Sequence, residues 1–327
     1  MTESHARLSS ERISVRALRK RVLVVSLPVL LFTSVAAMTG AAASEPTALT
    51  APTHTIRVGE PDIAYRSFGH GRPLVLLQRF RATMDDWDPA LLDALARQHR
   101  VILVDYAGAG GSTGSPSSSI DGLAEDAASF LSALDIGRAD VLGWSLGGMV
   151  AQRLALDYPD AVGCLVLAST HPGGGPNTAG PSPETLQLML KPGPRTEDEN
   201  LRLFYAPSPA GWALGHASLI RIARREPREP AVAPATVAAH GSAVFTFLGG
   251  TGNPAYPELG SLRQPTLIAG GVQDVILPVI NSQTLAELIP QSRLVIYPDD
   301  AHAFLFTRSQ DFSRQVDDFL GGPDCDA

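Results

Sequence analysis

The stretch "VLGWSLGGMVAQRLAL" (Val141–Leu156) changes character at one residue. Up to Trp144 it is a short apolar run of strand type, and from Leu146 it follows a helical pattern. Ser145 stands at the junction, with Gly143 two residues before it and Gly147 two residues after. A turn this tight crowds its flanking positions, and glycine is the residue without a Cβ to clash there. The spacing therefore predicts a strand, an abrupt turn carrying an exposed hydroxyl, and a helix.

Outward from this junction, apolar runs alternate with helical patterns. Strands are expected over 54–58, 62–68, 73–78, 100–105, 139–144, 163–169, 265–270 and 292–297, and helices over 86–98, 120–135, 146–157, 279–289 and 309–320. Continuous apolar strands separated by amphipathic helices imply an α/β fold: a mostly parallel eight-stranded sheet with helices on both faces. The first two strands have no helix between them and read as an antiparallel edge. The alternation breaks after Thr170, where "HPGGGPNTAGPSPET" is loop-like and "REPREPAVAPA" is a second break. Residues 54–170 and 263–322 form the expected core, and 171–262 an inserted helical lid.

In a parallel sheet, ligands bind at the carboxyl ends of the strands. Ser145 lies at such an end, in the G-x-S-x-G pattern of a nucleophile elbow. The backbone N–H of Leu146 then points out of a helix N-terminus, where negative charge is favoured. The pattern gains weight if a base and an acid follow later strands. "GGVQDVILP" places Asp274 just past the strand at 265–270, and "YPDDAHAFLF" places His302 just past the strand at 292–297. Among eight histidines, His302 alone sits in a loop directly after the last strand. Asp299 and Asp300 are too close to His302 in sequence to support the far side of its ring. The assignment is Ser145 as nucleophile, His302 as general base and acid, and Asp274 as the group orienting the imidazole. His171 reads as a rim residue, and His216 and His240 as surface or packing residues of the lid.

With these residues in place, the sequence resembles the α/β-hydrolase family over most of 54–320 outside the lid. "DYAGAGGS" (Asp105–Ser112) resembles the family's D-x-R-G-x-G-x-S loop with Ala107 in the Arg position, and "GWSLGG" recurs in carboxylesterases of the family. The resemblance implies a second oxyanion donor beside Leu146, the backbone N–H of Phe80. It also exposes a departure: the chain has Gln78-Arg79 where the family usually has His-Gly. A backbone donor tolerates side-chain change, but the missing glycine makes a tight turn costly at Arg79. Gln78, Arg79, Trp144 and His171 are the candidate pocket residues, and Arg79 or Gln78 is a candidate attractor for an anionic substrate. Trp87 and the "DDWD" acids read as helix packing, capping and solvation.

A serine nucleophile implies an acyl-enzyme on a carbonyl substrate and requires no cofactor. The reading is a carboxylic-ester hydrolase. A peptidase, a perhydrolase and a carbon–carbon bond hydrolase would use the same triad. A non-catalytic binding protein on the same scaffold is the alternative from another class. The net charge of −7 and the lack of a basic stripe beyond the N-terminus argue against nucleic acid. No metal-ligand spacing occurs. Residues 1–43 read as a secretory signal: a basic n-region from Arg7 to Arg21, an apolar run over Val22–Met38 and an Ala41-Ala42-Ala43 cleavage site. An uncleaved N-terminal membrane anchor is the other reading of the same residues. Residues 44–53 read as a flexible lead. Cys164 in an apolar strand and Cys325 in the tail read as two unpaired thiols.

Overall fold

The computed structural model describes residues 45–325. The signal and anchor readings lie outside the described residues. Eight strands form one sheet in the order β1-β2-β4-β3-β5-β6-β7-β8. They are β1 (His54–Arg57), β2 (Asp62–Phe68), β3 (Arg72–Leu77), β4 (His99–Val104), β5 (Ala139–Trp144), β6 (Val162–Ala168), β7 (Thr266–Gly271) and β8 (Ser292–Tyr297). β1 pairs antiparallel with β2, and β2 antiparallel with β4; every other pairing is parallel. β5, β6 and β7 are buried at every position, which is why their sequences are unbroken apolar runs rather than alternating ones.

The helices are α1 (Pro89–Leu95), α2 (Ile120–Ala133), α3 (Leu146–Asp157), α4 (Pro183–Leu190), α5 (Glu197–Phe204), α6 (Pro209–Ile222), α7 (Pro234–Leu248), α8 (Ile280–Leu288), α9 (Phe304–Thr307) and α10 (Ser309–Leu320). α1 packs with α9 and α10, while α2 packs with α3. α4 to α7 all fall between β6 and β7.

Three expectations need correction. The helix expected from residue 86 begins at Pro89, because proline fits the first helical position and not the interior. Asp88 is its N-cap, and its carboxylate accepts from Ala90 N at 2.9 Å. The lead is held rather than free: Ala51 is fully buried, and Arg225 donates to the carbonyls of Leu49 and Ala51, each at 2.7 Å. The two cysteines are joined as a Cys164–Cys325 disulfide with a Cα–Cα distance of 5.8 Å. The chain after α10 returns to the start of β6, a contact between residues 161 apart that neither local sequence announces.

The inserted helices are tied to the core by charge. Asp88 is fully buried and receives Arg221 Nη2 at 2.6 Å and Ser218 Oγ at 2.7 Å, both from α6. Arg66 of β2, also buried, donates to Asp85 at 2.6 Å and to Glu229 at 2.7 Å. Asp86 closes a capping box with Thr83. The "DDWD" acids therefore do cap helix starts, but Asp85 forms a buried ion pair instead of facing solvent.

Candidate active site

Ser145 sits between β5 and α3 with φ 58° and ψ −116°. A non-glycine residue in this region costs of order 1–3 kcal/mol, so its surroundings must hold it. They do so through the backbone. Ser145 N donates to Ala168 O at 3.0 Å, and the Ser145 carbonyl accepts from Gly148 N at 2.9 Å and from Thr170 Oγ1 at 2.7 Å. Both glycines are required by contact. A Cβ at Gly143 would lie 2.3 Å from Gly147 O, and one at Gly147 would lie 1.9 Å from Leu77 O. The second contact also places the elbow directly against the chain leaving β3, which carries Gln78, Arg79 and Phe80.

Asp274 and His302 meet as the spacing implied. His302 Nδ1 donates to Asp274 Oδ2 at 2.7 Å, and both side chains are only 1% exposed. The other carboxylate oxygen accepts from Ile276 N and Leu277 N, each at 2.9 Å, so Asp274 cannot rotate freely. The loops carrying the pair are joined by backbone bonds, Val272 N to Tyr297 O and Gln273 N to Asp300 O. Gly271 permits that approach, since a Cβ there would lie 2.4 Å from Asp300 O. A glycine closing the strand before Asp274 is a signal of this approach that the sequence already carries. Asp300 serves the structure: it accepts from Thr307 Oγ1 and Arg308 Nε, fixing the chain beyond His302.

Trp144 joins the nucleophile strand to the histidine loop. Its indole N–H donates to the His302 carbonyl at 3.0 Å. Its ring contacts Trp87, Phe306, Phe204 and the His302 imidazole. Phe204, at the end of α5, is a site residue that sequence reasoning does not single out among the aromatics of the inserted segment. Its ring centroid lies 5.8 Å from that of His302, and its carbonyl accepts from Ala303 N at 2.8 Å.

The four candidate pocket residues separate. A cavity of about 920 Å³ opens between the 79–86 loop, the chain after α4 and helix α7, and of the four only Arg79 lines it. Gln78 is 1% exposed, and its amide donates to Ala82 O and Asp105 Oδ1, so it shapes the loop from behind. Trp144 is buried support. His171 is buried rather than at a rim; its Nδ1 accepts from Gly173 N at 3.0 Å, and burial pushes its pKa down to about 4. His216 is exposed beside Glu197 and His240 packs on Tyr106, as surface and packing residues do.

The missing glycine at position 79 is resolved two residues later. The left-handed backbone falls at Arg81, with φ 60°. Its guanidinium donates to the carbonyls of Met189, Lys191 and Gly193, which offsets the local cost by anchoring the turn to the end of α4 and the chain after it. The Arg79 guanidinium lies over the rings of Phe204 at 4.7 Å and Trp144 at 5.4 Å, and donates to Phe80 O at 3.0 Å. Asp105, from the "DYAGAGGS" stretch, accepts from Met84 N, Gly111 N and Gln78, and so organises the same loop. Burial raises its pKa to about 7 against the effect of those bonds. Among the described residues no group of three His, Cys, Asp or Glu is placed to hold a metal ion.

This architecture is shared with known proteins. The model of the alpha/beta hydrolase fold matches residues 70–211. A poly(3-hydroxyalkanoate) depolymerase from Ectopseudomonas oleovorans is 31% identical over 81% of this chain and 87% of its own length. The chain belongs to the α/β-hydrolase fold family. A pimeloyl-[acyl-carrier protein] methyl ester esterase from Nitrosomonas europaea is 30% identical over 72% of this chain and 90% of its own. An alpha/beta hydrolase fold protein from Chitinophaga pinensis superposes with a TM-score of 0.77 at 29% identity, covering 84% of this chain and 99% of its own. The protein is a hydrolase of this fold.

Proposed function

We propose that the protein hydrolyses a carboxylic ester through Ser145, His302 and Asp274. The observation that carries this reading is the 2.7 Å His302–Asp274 pair, in a fold that also sets a serine at φ 58° on the strand–helix turn. With Nδ1–H committed to Asp274, the imidazole keeps Nε2 as its proton acceptor. His302 takes the Ser145 hydroxyl proton as Oγ attacks the ester carbonyl. The tetrahedral oxyanion receives the N–H groups of Leu146 and Phe80. Collapse expels the alcohol, which leaves with the proton from His302. Water then repeats the sequence on the acyl-enzyme, releasing the acid and restoring the serine. The Asp274 carboxylate stabilises the imidazolium. Two relatives named for ester substrates support this choice of carbonyl class.

The helices α4 to α7 act in this reading as a cap, which is supported by Phe204 lying against His302. Export with cleavage after Ala43 is proposed as well. It is supported by the composition of residues 1–43 and by the Cys164–Cys325 bond, since such bonds persist in oxidising compartments. N-terminal sequencing of the exported protein should begin at Ser44, and a retained Met1 would refute the cleavage.

Rapid-mixing hydrolysis of p-nitrophenyl butyrate tests the acyl-enzyme. A p-nitrophenol burst equal to the enzyme concentration is expected when deacylation is slower than acylation. Asp274→Asn should cut kcat by roughly 10³–10⁴-fold with little change in KM. Full activity in Asp274→Asn would refute the assigned role.

A further inference from the structure

The cavity beside the oxyanion loop carries more positive charge than its own residues neutralise. Arg81 and Arg195 both donate to the single carbonyl of Met189, each at 2.9 Å, so two guanidinium groups converge on one oxygen. Arg79 stands beside them, over the same Phe204 ring that Arg195 faces. Arg228 also lines the space and donates to carbonyls. Among the described residues none of Arg81, Arg195 and Arg228 is paired with a carboxylate. The two acids in the lining are already engaged: Asp86 by Arg79 and Thr83, and Glu229 by Arg66 and Thr53. Nε of Arg79 and Nε of Arg195 are buried without hydrogen-bond partners.

The opposite chemistry comes from α7, which contributes Val237, Ala238, Gly241 and Phe245 to the same cavity. Gly241 adjoins the ring of Phe80, so the space reaches the residue assigned above as the second oxyanion donor. Ser145 and His302 are not in its lining; Arg79, over the rings of Trp144 and Phe204, joins it to the two aromatics that lie against His302.

We propose that this cavity binds an anionic group, carboxylate or phosphate, borne on an apolar chain of the ester substrate, with Arg195 and Arg81 as its principal contacts. Guanidinium groups match the geometry of both oxyacids, and a bound anion would relieve the repulsion among the three arginines. Burial and the neighbouring Arg79 and Arg81 push the Arg195 pKa down to about 9, in keeping with a site short of negative charge. The proposal rests on the hydrolase reading and names the substrate class of that site.

Two esters of equal acyl length test it: mono-p-nitrophenyl glutarate, whose acyl chain ends in a carboxylate, and neutral p-nitrophenyl valerate. The expected kcat/KM ratio favours the anionic ester by about tenfold or more, chiefly through KM, as one charge-assisted contact would give. The preference should fall as salt is raised. In Arg195→Gln the ratio should drop toward one, and Arg195→Lys should recover part of it. The wild-type salt titration needs no variant and reads the same contact. Free glutarate and inorganic phosphate, tried as competitive inhibitors, separate the two oxyacids, and inhibition by either supports the site. A ratio near one in the wild type, with neither anion inhibiting, would overturn the proposal. Turnover of neither ester would sink the hydrolase reading instead. Calorimetry of glutarate and phosphate against Ser145→Ala would then decide the anion site alone, with binding lost in the added Arg195→Gln supporting it and no heat overturning it.

Discussion

The elbow and the arginine-lined cavity are neighbours built on opposite plans. At the elbow, the working geometry is fixed by backbone: a left-handed serine, two glycines with no room for a Cβ, and main-chain bonds to Ala168 and Gly148. At the cavity, it is fixed by long side chains reaching across the sequence. Arg81 reaches residues 189–193, Arg66 reaches Glu229, and Arg221 reaches Asp88. The first plan leaves a dense local signature. The second leaves scattered arginines whose partners lie many residues away. The contrast also separates two roles, because the elbow sets which reaction is possible while the cavity sets which molecule undergoes it.

Substitutions that strike only one region can break this contrast. The largest effect is expected at the elbow. Ser145→Ala should lower kcat by about 10⁴-fold or more, and adding His302→Ala should cost little further, because the two act as one unit. Steady-state ester assays on the single and double variants check this, and additive losses would argue against a shared mechanism.

Next in size is the support of the cavity. Arg66→Met leaves Asp85 buried, and Glu229 half-buried, without their cation, which should destabilise the protein by about 3–5 kcal/mol in denaturant unfolding. A loss below about 1 kcal/mol, the scale of an exposed pair, would mean that the inserted segment is not held by this contact.

Cys325→Ser lies far from both regions. It should lower stability by about 2–4 kcal/mol while leaving kcat/KM unchanged, because the bond constrains the unfolded chain and touches no part of the site. A matching fall in activity would tie the tail to the site and blur the contrast.

The smallest effect is a pH slope at His240, beside the cavity. Burial holds its pKa at about 4 against the ordinary 6.5, so the folded ring stays neutral while the unfolded chain takes up a proton. Its contribution is therefore present above pH 6.5 and lost as pH falls toward 4. Relative to His240→Leu, the wild type should lose stability across that interval, as measured by denaturant midpoints. Parallel pH profiles would refute the buried neutral ring.

The same division explains what the sequence made legible. Ser145, Asp274 and His302 could be read because each follows a strand whose burial forces an apolar run, and because the elbow demands glycines at set positions. The strand ranges that the sequence implies agree with those of the structure to within a residue, for the same reason. The start of α1 is misplaced unless Pro89 is taken as the first helical residue. Gln78, Trp144 and His171 are buried and do not line the cavity, since a place at or just past the end of a strand says nothing about which way a side chain turns. The Cys164–Cys325 bond depends on where the tail returns after α10, and no local pattern encodes that. Phe204, which lies against His302, stands among several aromatics of the inserted segment with no periodicity to single it out.

The central claim is that Ser145 is an activated nucleophile, and covalent labelling addresses it most directly. The protein should be treated with a fluorophosphonate, its intact mass measured and the modified peptide sequenced. The account predicts one adduct per chain, located at Ser145, formed far more slowly in His302→Ala. A folded protein that acquires no adduct, or acquires it elsewhere at the same rate in His302→Ala, would contradict it.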